Sequence, residues 1–458
     1  MANSFLLAST AAQPLFMWLS YALGARVLLT LGLVLVTGGS LACATTSSLS
    51  ALIVGRTLAG CGSGIAAVLT VLVCRLIAPA KAEKWTYLSS VSYWIGAALG
   101  PVTGGIVTQN LGWNCIFYVT GASSAQSALS LPILLPLKSD EGADWWALRN
   151  VDYFGWILLT GSSTSIALAL SSAGHIYIHN WTSWHTVILL LFGRSALAIF
   201  VQHSRYRYDS LLPISLLRRT DALIACLGTL AHGLIFSIIT YEAPIFLRAV
   251  YRTDMVDSGA LLASTGGSMV LSYAIRSALL GKAGFRTFIW TGLGVSATGC
   301  GLLMALTPST AIIVFIPIGS LVGCGLGMLL ATLSTVVQAA ARTDDEIVHA
   351  LPLHGFFNSL GQTFGLSLAG CVFLNGFERQ TSDSPSLSNH AKDLAKDAVA
   401  LNELVWSGTP LMTQVRLELP AIYLASLKWV WGMCSIVAAI ALLLSFWYAR
   451  DVRYRADN

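Results

Sequence analysis

The sequence predicts an all-α membrane protein of about thirteen spanning helices, and three observations carry that reading. The chain is 55% hydrophobic and only 10% charged, with a mean hydropathy of +0.71. A soluble globular domain holds roughly 25% charged residues. The apolar residues fall into runs long enough to cross a bilayer, about 20 residues each. Within one run, from about Trp85 to Val107, Gly96, Gly100 and Gly104 recur at four-residue spacing with Pro101 among them. Glycines so spaced share a helix face and admit a neighbouring backbone, while Pro101 removes a donor and bends the helix. A chain of 458 residues holds a dozen such helices joined by short loops.

In chain order, spans are expected at about 5–23, 27–45, 52–76, 85–107, 116–137, 154–172, 184–201, 222–241, 260–280, 288–306, 311–336, 347–374 and 429–448. Each is a long apolar run with few or no charges. The first begins almost at once, with no basic segment before it of the kind a cleavable signal peptide carries. The third contains Arg56, and the fourth the glycine–proline pattern. The eighth has His232 at its centre and Glu242 at its outer end, where an interfacial carboxylate is expected. The twelfth is long and carries His349 and His354 near its start.

The net charge of +5 comes from 26 basic and 21 acidic residues, a modest excess that fits loops near anionic lipid better than nucleic acid. Basic residues are concentrated on one set of short loops, including Arg26, Arg75, Lys81, Lys84, Arg218, Arg219 and Arg286. The positive-inside rule then places the C-terminus in the cytoplasm and, with an odd number of spans, the N-terminus outside. Of the basic residues on the other side, Arg379, Lys392, Lys396, Arg416 and Lys428 lie in a long 375–428 loop that weighs little in that rule. The triplet beginning at Asn180 falls outside, where a glycosylation acceptor belongs. The nine cysteines form no CxxC pair and lie mostly in apolar runs, so neither a disulfide framework nor a metal site is indicated. No cofactor motif is present: HExxH, GxSxG and the phosphate loop are all missing, which argues against an enzyme and against ATP-driven transport.

Gly96-Ala-Ala-Leu-Gly100-Pro101-Val-Thr-Gly104-Gly105 resembles the antiporter signature of major facilitator superfamily drug exporters. Ile53-Val54-Gly55-Arg56-Thr57-Leu58-Ala59-Gly60 is similar to the segment that carries that family's intramembrane arginine. Leu211-Leu212-Pro213, Asp257-Ser258-Gly259 and Gly361 to Gly365 extend the match collinearly. The chain thus resembles a fourteen-helix fungal-type drug and toxin exporter that begins at the family's second helix. The resemblance implies a major facilitator fold in two bundles plus an extra helix pair. An N-terminal bundle would cover 1–137, one helix short; linkers and the extra pair 138–221; a C-terminal bundle 222–449; and a cytoplasmic tail 450–458. It implies efflux by proton antiport, multidrug resistance or secondary-metabolite export, a monomer, and residence in the plasma membrane or a vacuolar membrane. The family's usual aspartate in the loop after the second helix is replaced by Tyr21, and one arginine by Ala25.

By resemblance Arg56 tunes a proton site or contacts substrate; the plainer alternative is snorkelling to the nearer interface. Gly96, Gly100, Pro101, Gly104 and Gly105 are expected to bend the fourth span and pack it on a neighbour, so leucine at 100 or 104 should disturb packing. His232 is either a group titrating near neutral pH or, more simply, a packed and hydrogen-bonded histidine. Asn358 and Gln362, four apart on one face, are candidates with Glu242 for cavity lining, though helix packing explains them equally well. The substrate expected is a small lipophilic molecule with little charge. A siderophore or nutrient porter of the same fold, or a non-transporting relict, are the alternative readings.

Overall fold

A computed structural model describes residues 2–76, 79–134, 147–173, 181–207, 210–279, 284–383 and 413–446. Within the described residues each of the thirteen expected apolar runs lies mainly on helix, while 135–137, 280 and 447–448 lie outside them. The helices are α1 (Ala2–Leu23), α2 (Ala25–Thr45), α3 (Leu49–Ser63), α4 (Ile65–Leu76), α5 (Pro79–Leu111), α6 (Asn114–Leu134), the single turn α7 (Ala147–Asn150), α8 (Tyr153–Ser172) and α9 (Trp184–Tyr206). The short α10 (Ile214–Leu217) precedes α11 (Thr220–Tyr251), α12 (Met255–Leu279), α13 (Phe285–Leu303), α14 (Phe315–Ala340), α15 (Asp344–Asp383) and α16 (Thr413–Phe446). Eight helical stretches among the described residues are long and apolar enough to cross a membrane on that basis alone. The others, such as α6 with its run of serines, hold more small polar residues whose hydroxyls bond back to the preceding turn, as Ser123 and Ser127 do.

Local chemistry explains the helix ends. Gly24, at φ +83°, turns the chain between α1 and α2, and Gly112, at φ +90°, turns it between α5 and α6; both conformations suit a residue without a side chain. Ser48 caps α3 by accepting from the Ala51 amide at 3.2 Å. Asp152 caps α8 by accepting from the Gly155 amide at 2.9 Å, and the same buried oxygen lies 2.9 Å from His203 Nε2 at the far end of α9. The extra pair is therefore pinned to itself at one end by a carboxylate with several partners.

Two groups of helices pack around separate cores. The N-terminal helices α1, α2, α3, α4 and α6 share a small core of Ala12, Phe16, Leu28, Leu29 and Val68. Helices α11 to α16 enclose a larger one that includes Phe246, Phe315, Phe377, Tyr423 and Trp431. Two seams join the groups: α1 against α15, and α5 against α12. Helix α5 reaches far enough across to bury Trp94 completely in the larger core. Along the outer faces, side chains such as Val34, Leu129, Ile133 and Ile188 stay exposed, as a lipid solvent permits.

Several expectations are corrected. The third span runs through Gly64, a single turn residue in right-handed helical conformation between α3 and α4 that lies against Ala12 of α1, where a Cβ would press on the Ala12 methyl. Helix α16 starts at Thr413, so Arg416 and Lys428 belong to a helix rather than to the 375–428 loop, and α15 extends through Arg379. The extra length is held by contact, since Leu419, Ile422, Tyr423 and Leu427 are buried with Phe373 and Phe377. The motif glycines divide unexpectedly. A side chain at Gly105 would strike the Met255 carbonyl of α12, whereas Gly96, Gly100 and Gly104 have open space beside them. The close approaches on the facing helix belong to Gly259, against the Pro101 carbonyl, and Gly266, against Ala98. Asn180 lies outside the described residues.

Candidate functional site

The candidate site draws its polar and aromatic side chains from α3, α5, α11 and α15. Glycines bring the last two together. Gly233 of α11 meets the Asn358 backbone, while Gly361 and Gly365 of α15 meet the Leu230 and Leu234 carbonyls. That close approach sets His232 Nδ1 3.1 Å from Asn358 Oδ1. An amide oxygen can only accept, so Nδ1–H donates to it. The imidazole lies parallel to Phe236 at 6.3 Å and edge-on to Trp94 at 6.0 Å. His232 is thus the packed, hydrogen-bonded histidine of the plainer reading, and the structure brings it together with Asn358.

Gln362, one turn beyond Asn358, faces the phenol of Tyr93 on α5. Tyr93 packs edge-on to Trp94 at 5.0 Å yet remains 43% exposed, so it borders open space deep within the molecule. Tyr93 in turn lies within electrostatic reach of Tyr241 on α11, and Tyr241 within reach of Arg56 on α3. Electrostatic influence thus runs from Arg56 to Tyr241 and from Tyr241 to Tyr93, whose phenol bonds Gln362.

Arg56 is half-buried, with its guanidinium carbon 4.4 Å from the Phe5 ring centre and 5.8 Å from that of Phe117. Among the described residues no carboxylate pairs with it and no acceptor bonds to it. Contact with aromatic faces stabilises a cation by roughly 0.5–2 kcal/mol but supplies no acceptor for its five N–H groups.

Glu242 is placed differently from expectation. Helix α11 runs on to Tyr251, which carries Glu242 away from the helix end and into the larger core, 4% exposed, with Oε2 unpartnered. Pro244 does not stop the helix, because Phe246 and Leu247 beyond it are fully buried in that core.

Tyr93, Trp94 and Tyr241 were not singled out from the sequence, because aromatic residues are common in membrane helices and nothing local separates these three. The charge of Arg56 within an apolar run was the one strong signal.

Comparison with known proteins agrees with this architecture. The chain is similar to the MFS transporter L2 of Phoma sp., 28% identical over 448 residues, covering 96% of this chain and 73% of that one. It is similar to the efflux pump FUS6 of Gibberella fujikuroi, 25% identical over 467 residues, covering 99% and 82%. The Acurin A biosynthesis cluster MFS-type transporter of Aspergillus aculeatus is 26% identical, covering 97% and 81%. Among solved structures, the human organic anion transporter MFSD10 shares the fold, with a TM-score of 0.59, 15% identity and coverage of 97% and 82%. A bacterial homologue of the human lysosomal transporter Spinster, in an inward-facing and occupied conformation, does so with a TM-score of 0.60, 13% identity and coverage of 99% and 91%. The model of the Major Facilitator Superfamily matches residues 1–366, and the chain belongs to that superfamily of membrane transporters, not to a family of enzymes.

Proposed function

We propose that this multi-pass membrane transporter exports lipophilic small molecules of the secondary-metabolite type, in exchange for protons, through the space between its two helix groups. The observation that carries the reading is the Arg56–Tyr241–Tyr93–Gln362 chain. These residues come from α3, α11, α5 and α15 and combine hydrogen-bonding with aromatic surface. Pockets for small molecules are mostly apolar, with a few placed polar groups, and this lining has that character. The curated relatives named as efflux pumps or as transporters of biosynthesis clusters support the outward direction.

In the same reading the N-terminal bundle, the extra pair and the C-terminal bundle are the working units. The protein acts as a monomer in the plasma membrane, with the Asn180 loop and its glycosylation acceptor outside. Pro101 and Gly105, with Gly259 and Gly266 opposite, shape the α5 seam, and His232 with Asn358 holds α11 to α15. The test is reconstitution of the purified chain in liposomes. A pH gradient should drive accumulation of a lipophilic fluorescent dye, and a protonophore should abolish it. Accumulation that ignores both the gradient and the protonophore would contradict proton exchange.

A further inference from the structure

Glu242 is an acid within a spanning helix that neither the packing nor the export route employs. It stands nine residues before the end of α11 at Tyr251, about 14 Å along the axis, and is 4% exposed. The other carboxylates of the described helices stand in a cap or within six residues of a helix end, as Asp152, Asp257, Glu346 and Glu378 do. Among the described residues Glu242 Oε2 has no hydrogen-bond partner, and no cation forms an ion pair with the group. Arg248, the basic residue nearest to it in sequence, is no exception.

Helix register shows what surrounds the carboxyl. Phe246, one turn on, meets the Trp431 ring of α16 edge-on at 6.3 Å and the Phe315 ring of α14 at 6.3 Å. Cys434 lies one turn along α16 from Trp431, and Cys300 of α13 shares the same core. The titratable groups that this core holds are those two thiols and the phenols of Tyr251, Tyr273 and Tyr423. An ionised carboxylate enclosed there without a counter-charge is costly, whereas the neutral acid is tolerated. Proton occupancy of Glu242 is thereby tied to conformation: a proton is held while the group is enclosed and released when water reaches it. His232 and His354 are buried as well, but a neutral imidazole needs no counter-charge. Helix α11 also has a weak point beside Glu242. Pro244 denies the Thr240 carbonyl its usual amide donor, and the Thr240 hydroxyl bonds back to the Phe236 carbonyl at 2.7 Å.

We infer that Glu242 carries the proton that this transporter exchanges. The inference rests on the export reading and deepens its proton-exchange part. In the step the carboxyl O–H bond breaks, the proton passes to water on the release side, and the carboxylate remains. Uptake of a proton from water on the other side restores the neutral acid, and nothing is oxidised or reduced.

The test uses the full chain in nanodiscs and rhodamine 6G, a lipophilic dye with no group that titrates near neutral pH. In an exchanger the dye and the proton oppose each other's binding. The affinity of the parent chain, read by fluorescence anisotropy, should therefore rise with pH, and the dye should release protons into weak buffer. Glu242→Gln, a permanent stand-in for the neutral acid, should lose both the pH dependence and the proton release. Its gradient-driven accumulation in liposomes should fall to that of protein-free liposomes. Thermal unfolding separates this loss from a lost fold. If the glutamine variant fails to fold, the parent chain is treated with dicyclohexylcarbodiimide, which attacks neutral carboxyl groups. Mass spectrometry should then find Glu242 modified, and less so with dye bound. Parent-like pH dependence in Glu242→Gln, or labelling of Glu242 that is absent or insensitive to dye, would overturn this inference alone. A parent chain whose affinity ignores pH and that releases no proton would take the proton-exchange reading with it.

Discussion

The hydrogen bond between His232 and Asn358 shows how one pair of side chains fixes the wall of the cavity. His232 is 1% exposed, and its Nδ1 lies 3.1 Å from the Asn358 amide oxygen. Removing that acceptor leaves a buried donor unsatisfied, at a cost of about 1–3 kcal/mol. Asn358→Ala should therefore lower the Tm of the detergent-solubilised chain by several degrees, and Asn358→Asp, which keeps an acceptor, by less. Equal stability of all three chains would mean that the bond contributes nothing. At this scale the sequence is informative where a residue breaks the local rule. Arg56 is a charge in an apolar run, and it proves to be unpaired among the described residues. Glu242 broke the same rule, but its burial depends on how far α11 continues past Pro244. Tyr93 and Tyr241 break no rule, and only the juxtaposition of four helices gives them a role.

At the scale of elements, apolar length is a local property, so helix on all thirteen expected runs was legible. The early start of α16 is set by tertiary contact with α15, and no local pattern announced it. The same distinction governs the glycine motif. Its spacing correctly marks a helix that a neighbour approaches, but spacing alone does not say which glycine faces that neighbour. Gly105 and, on the other helix, Gly259 and Gly266 do; Gly100 does not. Gly259→Leu should force α5 and α12 apart and cost roughly 1–3 kcal/mol or more, as overpacking does. Gly100→Leu should be tolerated with a Tm near that of the parent. Thermal unfolding of the two variants side by side decides this, and the reverse order would contradict the packing described.

At the scale of the whole molecule, two helix groups meet along seams formed by α1 with α15 and α5 with α12, and α8 lies across the first of these. Its contacts touch both sides: the Trp156 indole donates to the Ala11 carbonyl at 2.8 Å, and the Asn375 amide donates to the Ala173 carbonyl, just past α8, at 3.1 Å. The extra pair is thus built into the junction rather than appended to one group. The proposed export route between the seams draws on both groups, through Tyr93 of α5 and Gln362 of α15, whose side chains share a hydrogen bond. A double-mutant cycle across the junction tests it most directly, with Tyr93→Phe on α5, Gln362→Ala on α15, and the double variant compared for dye export from liposomes. If the two residues serve one site, each single change should slow export, and the double change should differ from their sum by about 0.5 kcal/mol or more. Strictly additive effects, or export unaltered by either change, would contradict a shared site between the two groups.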